Sequence, residues 1–177
     1  MKNTVILKWN PAISSYQMIS FLDDIVQQNA EADWSIRDYE KIRRNDRFYM
    51  LKVGQGATGI VMRGKITSNP ESGEDWSQQG RKRYYCDYKA EIMINPDTFP
   101  ILTSDALQDN IPGFDWFGGH SGVVLDEKQA EVLENMWMAY FQENQTEFRS
   151  RLELIDRREM VNDQLYLARA IEKKIFL

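Results

Sequence analysis

The segment of residues 83–94 constrains the fold most, because its side chains alternate strictly over the last nine positions. Successive side chains of a β-strand point to opposite faces of a sheet, so a period of two predicts a strand. One face is apolar and the other carries charge: Cys86, Tyr88, Ala90, Ile92 and Ile94 alternate with Asp87, Lys89, Glu91 and Met93. The segment predicts a long strand with one buried and one wet face, ended by Asn95-Pro96.

Other segments predict a sheet with helices around it. Residues 4–9 predict a buried strand, and residues 46–53 and 58–67 predict two antiparallel strands joined by the Gly54-Gln55-Gly56 turn. A further short strand is predicted over residues 121–125. Helices are predicted from Ser14 or Ser15 to about residue 29, from Thr103 or Ser104 to about residue 109, and after Asp126. We therefore expect an α+β fold with a curled, mostly antiparallel sheet and helices on its outside.

The helix after Asp126 has an apolar face that predicts its packing side. We expect these residues to point inward: Val132, Leu133, Met136, Trp137, Tyr140 and Phe141. Trp9 and Trp137 are predicted to be core residues.

The chain changes character near Asn144, where we place the boundary between a domain of residues 1–143 and a helical extension of residues 144–177. The extension has no Gly or Pro from Thr146 onward and spaces its apolar residues three or four apart. Because a lone helix gains most of its stability from packing, we expect this one to cover the domain or pair with a second copy in a homodimer.

Cys86 and His120 are the only cysteine and the only histidine among 177 residues. A Cys/His zinc site needs about four such ligands, so we expect no metal of that kind and no cofactor; a metal held by carboxylates alone is left open. The lone cysteine excludes an intramolecular disulfide. With no apolar run long enough to span a membrane and no signal-peptide pattern at the start, we expect a cytoplasmic protein.

Charge is distributed unevenly along the chain. The net charge is −5, which argues against indiscriminate binding to phosphate backbones, yet residues 37–89 sum to +5 and the remainder to −10. A basic middle on an acidic body can steer a polyanion to one face. Solvated charges that fall this way without function are the alternative.

Five short segments, taken in order, resemble the PUA-like superfamily and most closely its EVE domain. They are residues 7–11, 33–36, 42–51, 59–66 and 116–125, where Asn45-Asp46 stands in place of a common Gly-Asp. The resemblance covers about residues 1–143. It implies a pseudo-barrel flanked by helices, with a pocket for a nucleobase, often a modified one.

The EVE domain is related to the YTH readers of methylated adenine, which hold the base between tryptophans. The matching positions here are Trp34, followed by Ser35, and Trp76, which lies in a polar loop. A tryptophan face stacks on a base with about 1–3 kcal/mol per base. Ordinary packing is the alternative for Trp34, and a lid over the domain is the alternative for Trp76.

Other residues are candidates for the pocket wall. Asn10 can present its amide to a base edge or simply end the first strand with Pro11, and Lys8 or Lys52 can reach a barrel mouth or solvent. The segment of residues 118–122 places Gly119, His120 and Ser121 together. It is compatible with a plain turn, with pocket lining or, least of all, with catalysis, because sequence adjacency of Ser and His does not make a triad.

Two basic clusters are candidates for phosphate contacts. The first comprises Arg43, Arg44 and Arg47, and the second comprises Arg81, Lys82 and Arg83, which follow Trp76 closely. Basic residues beside an aromatic are typical of a platform for single-stranded nucleic acid. Arg43 and Arg44 can instead cap a short turn.

We therefore expect a nucleic-acid base-binding module that is not an enzyme and does not contact membranes. One alternative is a hydrolase of the related ASCH type, which removes acyl groups from modified cytidine using a lysine such as Lys8 or Lys52. The other is a protein-interaction module that acts through its helical extension.

Overall fold

A computed structural model of the chain describes residues 2–27, 29–74 and 82–154, with side chains described as far as residue 144. The strands among these residues are β1 (Thr4–Trp9), β2 (Glu31–Ile36), β3 (Arg47–Lys52), β4 (Gly59–Ile66), β5 (Glu71–Gly73), β6 (Arg83–Met93), β7 (Leu102–Thr103) and β8 (Val123–Val124). The helices are α1 (Met18–Gln27), α2 (Ser104–Asn110) and α3 (Glu127–Leu154).

The parallel pair of β1 and β3 is buried on both faces of the sheet. Neighbours Val5 and Ile6 of β1 belong to different apolar cores, and so do Phe48 and Tyr49 of β3. Strands covered on both sides have nearly continuous apolar sequences, as parallel strands usually do. One core lies against α1, and the other lies against α2 and α3.

The other strands extend this pair antiparallel on both sides, in the order β2-β6-β4-β3-β1-β8. The sheet curls until its two outer strands approach each other. The backbone N–H groups of Arg37 and Asp38, which follow β2, donate to the carbonyls of Ser121 and Gly122, both at 2.9 Å. The Gly122 N–H donates to the Ile6 carbonyl at 2.9 Å, so this short segment joins β1 to the end of β2.

The α+β fold class with a curled sheet is thus confirmed, and the sheet is mixed because β1 and β3 run parallel. Predicted element types hold where the structure describes them, with bounds that shift by a few residues. The main shift is at the first helix, which begins at Met18 rather than near Ser14. The structure adds β2, β5 and β7, which sequence periodicity does not indicate.

Strand β6 departs from the predicted alternation at one point. Ala90 pairs with Gly64 and Ile92 pairs with Arg63, so Glu91 is an extra residue, a β-bulge. The bulge exchanges the two faces: Cys86, Tyr88 and Ala90 lie in the α1 core, whereas Ile92 and Ile94 lie in the α3 core. The prediction that all five share one face is therefore wrong, because period-two reasoning assumes an unbroken ladder.

Helix α3 begins where the sequence predicts and continues through Asn144 to Leu154. Asp126 caps it by accepting from the Gln129 N–H at 2.8 Å, while the Gln129 side chain accepts from the Asp126 N–H at 3.1 Å. Trp9 and Trp137 are fully buried, as predicted. The predicted extension beyond Leu154 lies outside the described residues.

A cluster of polar side chains forms hydrogen bonds between α3 and the sheet. Buried Arg63 of β4 donates to the Glu134 carboxylate at 2.5 Å and to the Tyr49 hydroxyl at 3.0 Å. The guanidinium also lies 5.8 Å from the centre of the Trp137 ring. Because a buried charge needs a partner, this cluster sets the position of α3 on the sheet.

Across residues 2–27, 29–74 and 82–154, no helix combines the length and the apolar character that crossing a membrane requires.

Gly122 lies at the junction of the sheet edges and cannot accept a side chain there. Its φ is +75°, and a Cβ would lie 2.3 Å from the Cα of Ile36. We expect Gly122→Ala to lower the free energy of unfolding by roughly 2 kcal/mol or more, because left-handed backbone strain adds to a backbone clash. Chemical denaturation measures this change.

Gly113→Ala is the matched control. A Cβ at Gly113 would meet only the Gln129 side chain, at an ordinary distance of 3.5 Å. Its effect should stay within about 1 kcal/mol. Equal stability of the two variants would contradict the role assigned to Gly122.

Candidate functional site

A cavity of about 880 Å³ opens where the sheet edges meet, and this volume lies in the range of small-molecule sites. Five parts of the fold line it: the end of β1 with the loop after it, β2, the turn after β3, the facing ends of β5 and β6, and the loop before β8. Of the predicted base-binding residues, the cavity wall contains Asn10, Trp34, Ser35, Gly119, His120 and Ser121.

Asn10 lies where β1 ends and the chain turns into the cavity wall. Its carbonyl accepts from the Ile13 and Ser14 N–H groups at 3.1 and 3.0 Å. Its side-chain Oδ1 accepts from the Ala12 N–H at 3.1 Å, which forms an Asx-type turn. This bond fixes the amide, because an N–H can donate only to the oxygen.

Trp34 is held in place by its indole N–H and by neighbouring rings. Nε1 donates to the Lys8 carbonyl and to the Ser121 Oγ, both at 3.1 Å. The rings of Tyr16 and Tyr88 contact it edge-to-face, with centroids 6.0 and 6.1 Å away. These contacts orient a half-buried tryptophan in the cavity wall before any ligand arrives.

Ser121 connects β1, β2 and the loop before β8. Its Oγ accepts from the Lys8 backbone N–H at 2.9 Å and from the Trp34 indole, and its carbonyl accepts from Arg37. No hydrogen bond joins His120 to Ser121 within the part of the chain that the structure describes, and His120 is exposed. The adjacent Ser and His therefore do not form a hydrogen-bonded pair.

Lys8 is 9% exposed and holds the loop before β8 in place. Its Nζ donates to the carbonyls of Asp115, at 2.8 Å, and Gly118, and lies 4.8 Å from the Phe114 ring centre. Burial lowers the pKa of the Lys8 side chain, while attraction to Asp115 opposes that change. The N–H groups of Phe117 and Gly118, together with Lys8, hold the pKa of Asp115 below its usual value.

The cavity is also lined by three aromatic residues that sequence reasoning did not select. Tyr16 follows the Asn10 turn, Tyr85 lies on β6, and Phe117 is 49% exposed on the loop before β8. Ile13 is 70% exposed and also lines the cavity. The local signal for Phe117 was its position between Trp116 and a glycine pair, but only tertiary structure brings these rings to Trp34.

Lys52 does not line the cavity. Its Nζ donates to the carbonyls of Gln55 and Ala57 at 2.8 and 2.9 Å, and so closes the turn between β3 and β4. Burial lowers the pKa of Lys52. The side chain folds back over its own turn, so the structure does not bring Lys52 to this cavity with the other predicted base-binding residues.

The predicted phosphate-binding residues separate into different places. Arg83 lines the cavity, with the acidic residues Asp33 and Glu74 also in the wall. Lys82 lies over the Tyr84 ring at 6.0 Å, outside the cavity.

The first basic cluster lies away from the cavity. The Arg43 side chain donates to the carbonyls of Tyr39 and Ile42, which fits the turn-capping alternative. The Arg44 N–H donates to Asn69, and Arg47 pairs with Glu91 at 3.4 Å.

Trp76 and Arg81 lie outside the described residues. The described residues on each side of their segment, Gly73 and Glu74 before it and Arg83 after it, line the cavity. Among the residues the structure describes, no three His, Cys, Asp or Glu side chains cluster in a way that would hold a metal ion.

Three solved structures are similar to this fold. A hypothetical protein from Leishmania major aligns with a TM-score of 0.50 and 14% identity, over 79% of this chain and 98% of its own. Proteins from Pseudomonas syringae and Pseudomonas putida each align with a TM-score of 0.50 and 16% identity, over 75% of this chain and 99% and 98% of theirs. At these identities the likeness supports the fold alone.

No protein-family model and no curated protein matches the sequence.

The loop before β8 should depend on Lys8. We expect Lys8→Met, which keeps the length but removes the ammonium, to lower the free energy of unfolding by about 1–3 kcal/mol, since two carbonyls lose their donor. Amide exchange at Phe117 and Gly118 should accelerate relative to wild type. Lys65→Met, at an exposed position of β4, is the control and should change stability by less than about 0.5 kcal/mol. Unchanged exchange in Lys8→Met would contradict the role of the ammonium.

Proposed function

We propose that this cavity binds one nucleobase, in modified form, presented by a single-stranded or flipped-out stretch of nucleic acid. The observation that carries the proposal is Trp34, whose indole N–H is bonded to Lys8 and Ser121 so that the ring lines the cavity. A preoriented aromatic face favours a flat ligand, because little side-chain freedom is lost on binding.

The rest of the cavity wall supports the same ligand class. Tyr16, Tyr85 and Phe117 supply more aromatic surface, and Asn10 and Ser121 supply polar groups for a base edge. Arg83 also lines the cavity and, in this proposal, contacts a phosphate of the same strand. The volume of about 880 Å³ accommodates a base with its sugar.

We also propose that the fold is PUA-like and belongs to the EVE branch. Segments that carry the sequence resemblance, around Trp34 and around Ser121, meet at the cavity. A cytoplasmic location is part of the proposal because Cys86 is the only cysteine.

Binding should depend on Trp34. We expect Trp34→Ala to weaken binding of a modified single-stranded oligonucleotide by roughly 1–3 kcal/mol and Trp34→Phe to weaken it less, because Phe keeps a stacking face. A fluorescence-polarisation screen of methylated and unmodified strands, each also as duplex, measures the affinities. Wild type should prefer a modified single strand to the duplex.

Tyr39→Ala is the control for loss of an aromatic residue. Tyr39 stacks on Tyr84 at 3.6 Å, outside the cavity, so its removal should leave affinity unchanged. Equal, salt-insensitive absence of binding across the whole panel would overturn the proposal. Equal loss in Tyr39→Ala and Trp34→Ala would place the binding surface elsewhere.

A hydrolase is a second candidate, because a buried lysine with a lowered pKa, Lys8, lines the cavity. Its ammonium is already bonded to two carbonyls, which favours a structural role. Chromatography of acyl-modified nucleosides incubated with the protein separates the two functions: release of the acyl group, lost in Lys8→Met, would establish the hydrolase.

A further inference from the structure

Three polar side chains of the cavity wall, those of Ser121, Asn10 and Lys8, can be assigned as donors or acceptors from the bonds they already make. Ser121 has one proton and two lone pairs on Oγ. Both acceptor positions are occupied, by the Lys8 backbone N–H at 2.9 Å and the Trp34 indole N–H at 3.1 Å. Among the described residues nothing accepts the Ser121 hydroxyl proton, so this hydroxyl can act toward a ligand only as a donor.

The Asn10 side chain is also oriented so that it can act toward a ligand as a donor. Its Oδ1 accepts from the Ala12 N–H at 3.1 Å, which leaves the Nδ2 amide group as the donor half of the side chain. Nδ2 finds no acceptor in the described parts of the chain, and Asn10 lines the cavity. The amide lies close to Gly54, where there is no side chain to clash with it. A Cβ at Gly54 would lie 2.7 Å from Oδ1 and 3.0 Å from Nδ2.

Lys8 provides the third donor. An ammonium has three hydrogens, and two of them are bonded to the carbonyls of Asp115 and Gly118. Within residues 2–27, 29–74 and 82–154 no third acceptor binds the Lys8 Nζ, and Lys8, which is 9% exposed, lines the cavity. The carboxylates that also line the cavity belong to two exposed residues, Asp33 and Glu74.

We infer that the cavity selects a base whose buried edge carries carbonyl oxygens, because Ser121, Asn10 and Lys8 there present only donors. This inference rests on the proposed function and adds to it the chemical class of the base: an oxo-base, such as uracil, thymine, hypoxanthine, guanine or their modified forms. An exocyclic amino group on the same edge would face donors and leave them unpaired, and such mismatches are strongly rejected in buried sites.

Matched pairs of nucleosides test this selectivity by titration calorimetry. Inosine against adenosine, and uridine against cytidine, each exchange an exocyclic oxygen for an amino group, and the neighbouring ring N–H for an acceptor nitrogen, on otherwise similar rings. We expect the oxo member of each pair to bind about tenfold tighter or more, the difference made by one well-placed hydrogen bond in a buried site. Equal affinities, or a preference for the amino member, would overturn the inference while leaving base binding intact.

Two variants test the donors, and Asn10→Asp separates their effect from damage to the fold, because Ser121→Ala also removes the acceptor of the Lys8 N–H and the Trp34 indole. Asn10→Asp keeps the oxygen that accepts from Ala12 and replaces the amide donor by an acceptor, so the oxo preference should fall by about tenfold. Ser121→Ala should reduce the same preference by removing the hydroxyl donor. Asn69→Asp is the matched control, because Asn69 also accepts a backbone N–H, from Arg44 at 3.0 Å, but lies outside the cavity.

The outcomes distinguish this inference from the proposed function. An oxo preference that is lost in Asn10→Asp and kept in Asn69→Asp supports both. If Asn10→Asp and Ser121→Ala leave the preference unchanged, the donors of these residues do not cause it, and the inference is overturned. No binding of any nucleoside or oligonucleotide overturns both, whereas binding without oxo preference overturns only the inference.

Discussion

The fold depends on how the two edges of a curled sheet are joined. Gly122 donates to Ile6 of β1 and accepts from Asp38, while Ser121 accepts from Arg37 beyond the end of β2. The backbones approach so closely that a Cβ on Gly122 would overlap the Ile36 main chain. The backbone N–H and C=O groups at an unpaired strand edge need hydrogen-bond partners. The segment of Ser121 and Gly122 provides such partners without a further strand.

The same junction builds the candidate site. The Ser121 side chain lies between the Lys8 backbone and the Trp34 indole, so the contact that closes the sheet also orients the tryptophan. Lys8 in turn holds the loop that carries Phe117. Stability and binding are therefore coupled here: changes at Ser121 affect the packing of the sheet edges and the cavity wall together.

Local patterns predicted most helices and strands because these elements depend on interactions between residues close in sequence. The cap at Asp126 and the burial of Trp9 follow from helix and strand patterning. The bulge at Glu91 was missed because it is a property of pairing with β4, which no single strand encodes. The folding-back of Lys52 onto its own turn was missed for a similar reason, since a flexible side chain takes whichever carbonyls the turn presents.

The sequence by itself determined an α+β chain with a curled sheet, the ends of most of its strands and helices, and a set of polar and aromatic candidates that includes Trp34 and Ser121. Tertiary structure alone decided which candidates share a cavity, because Trp34 and Ser121, which are 87 positions apart, meet only when the sheet edges join. It also brought Tyr16 and Phe117 to that cavity and left Arg43 away from it. The physical reason is that helix and strand formation respond to neighbouring residues, whereas a binding site depends on long-range closure of the backbone.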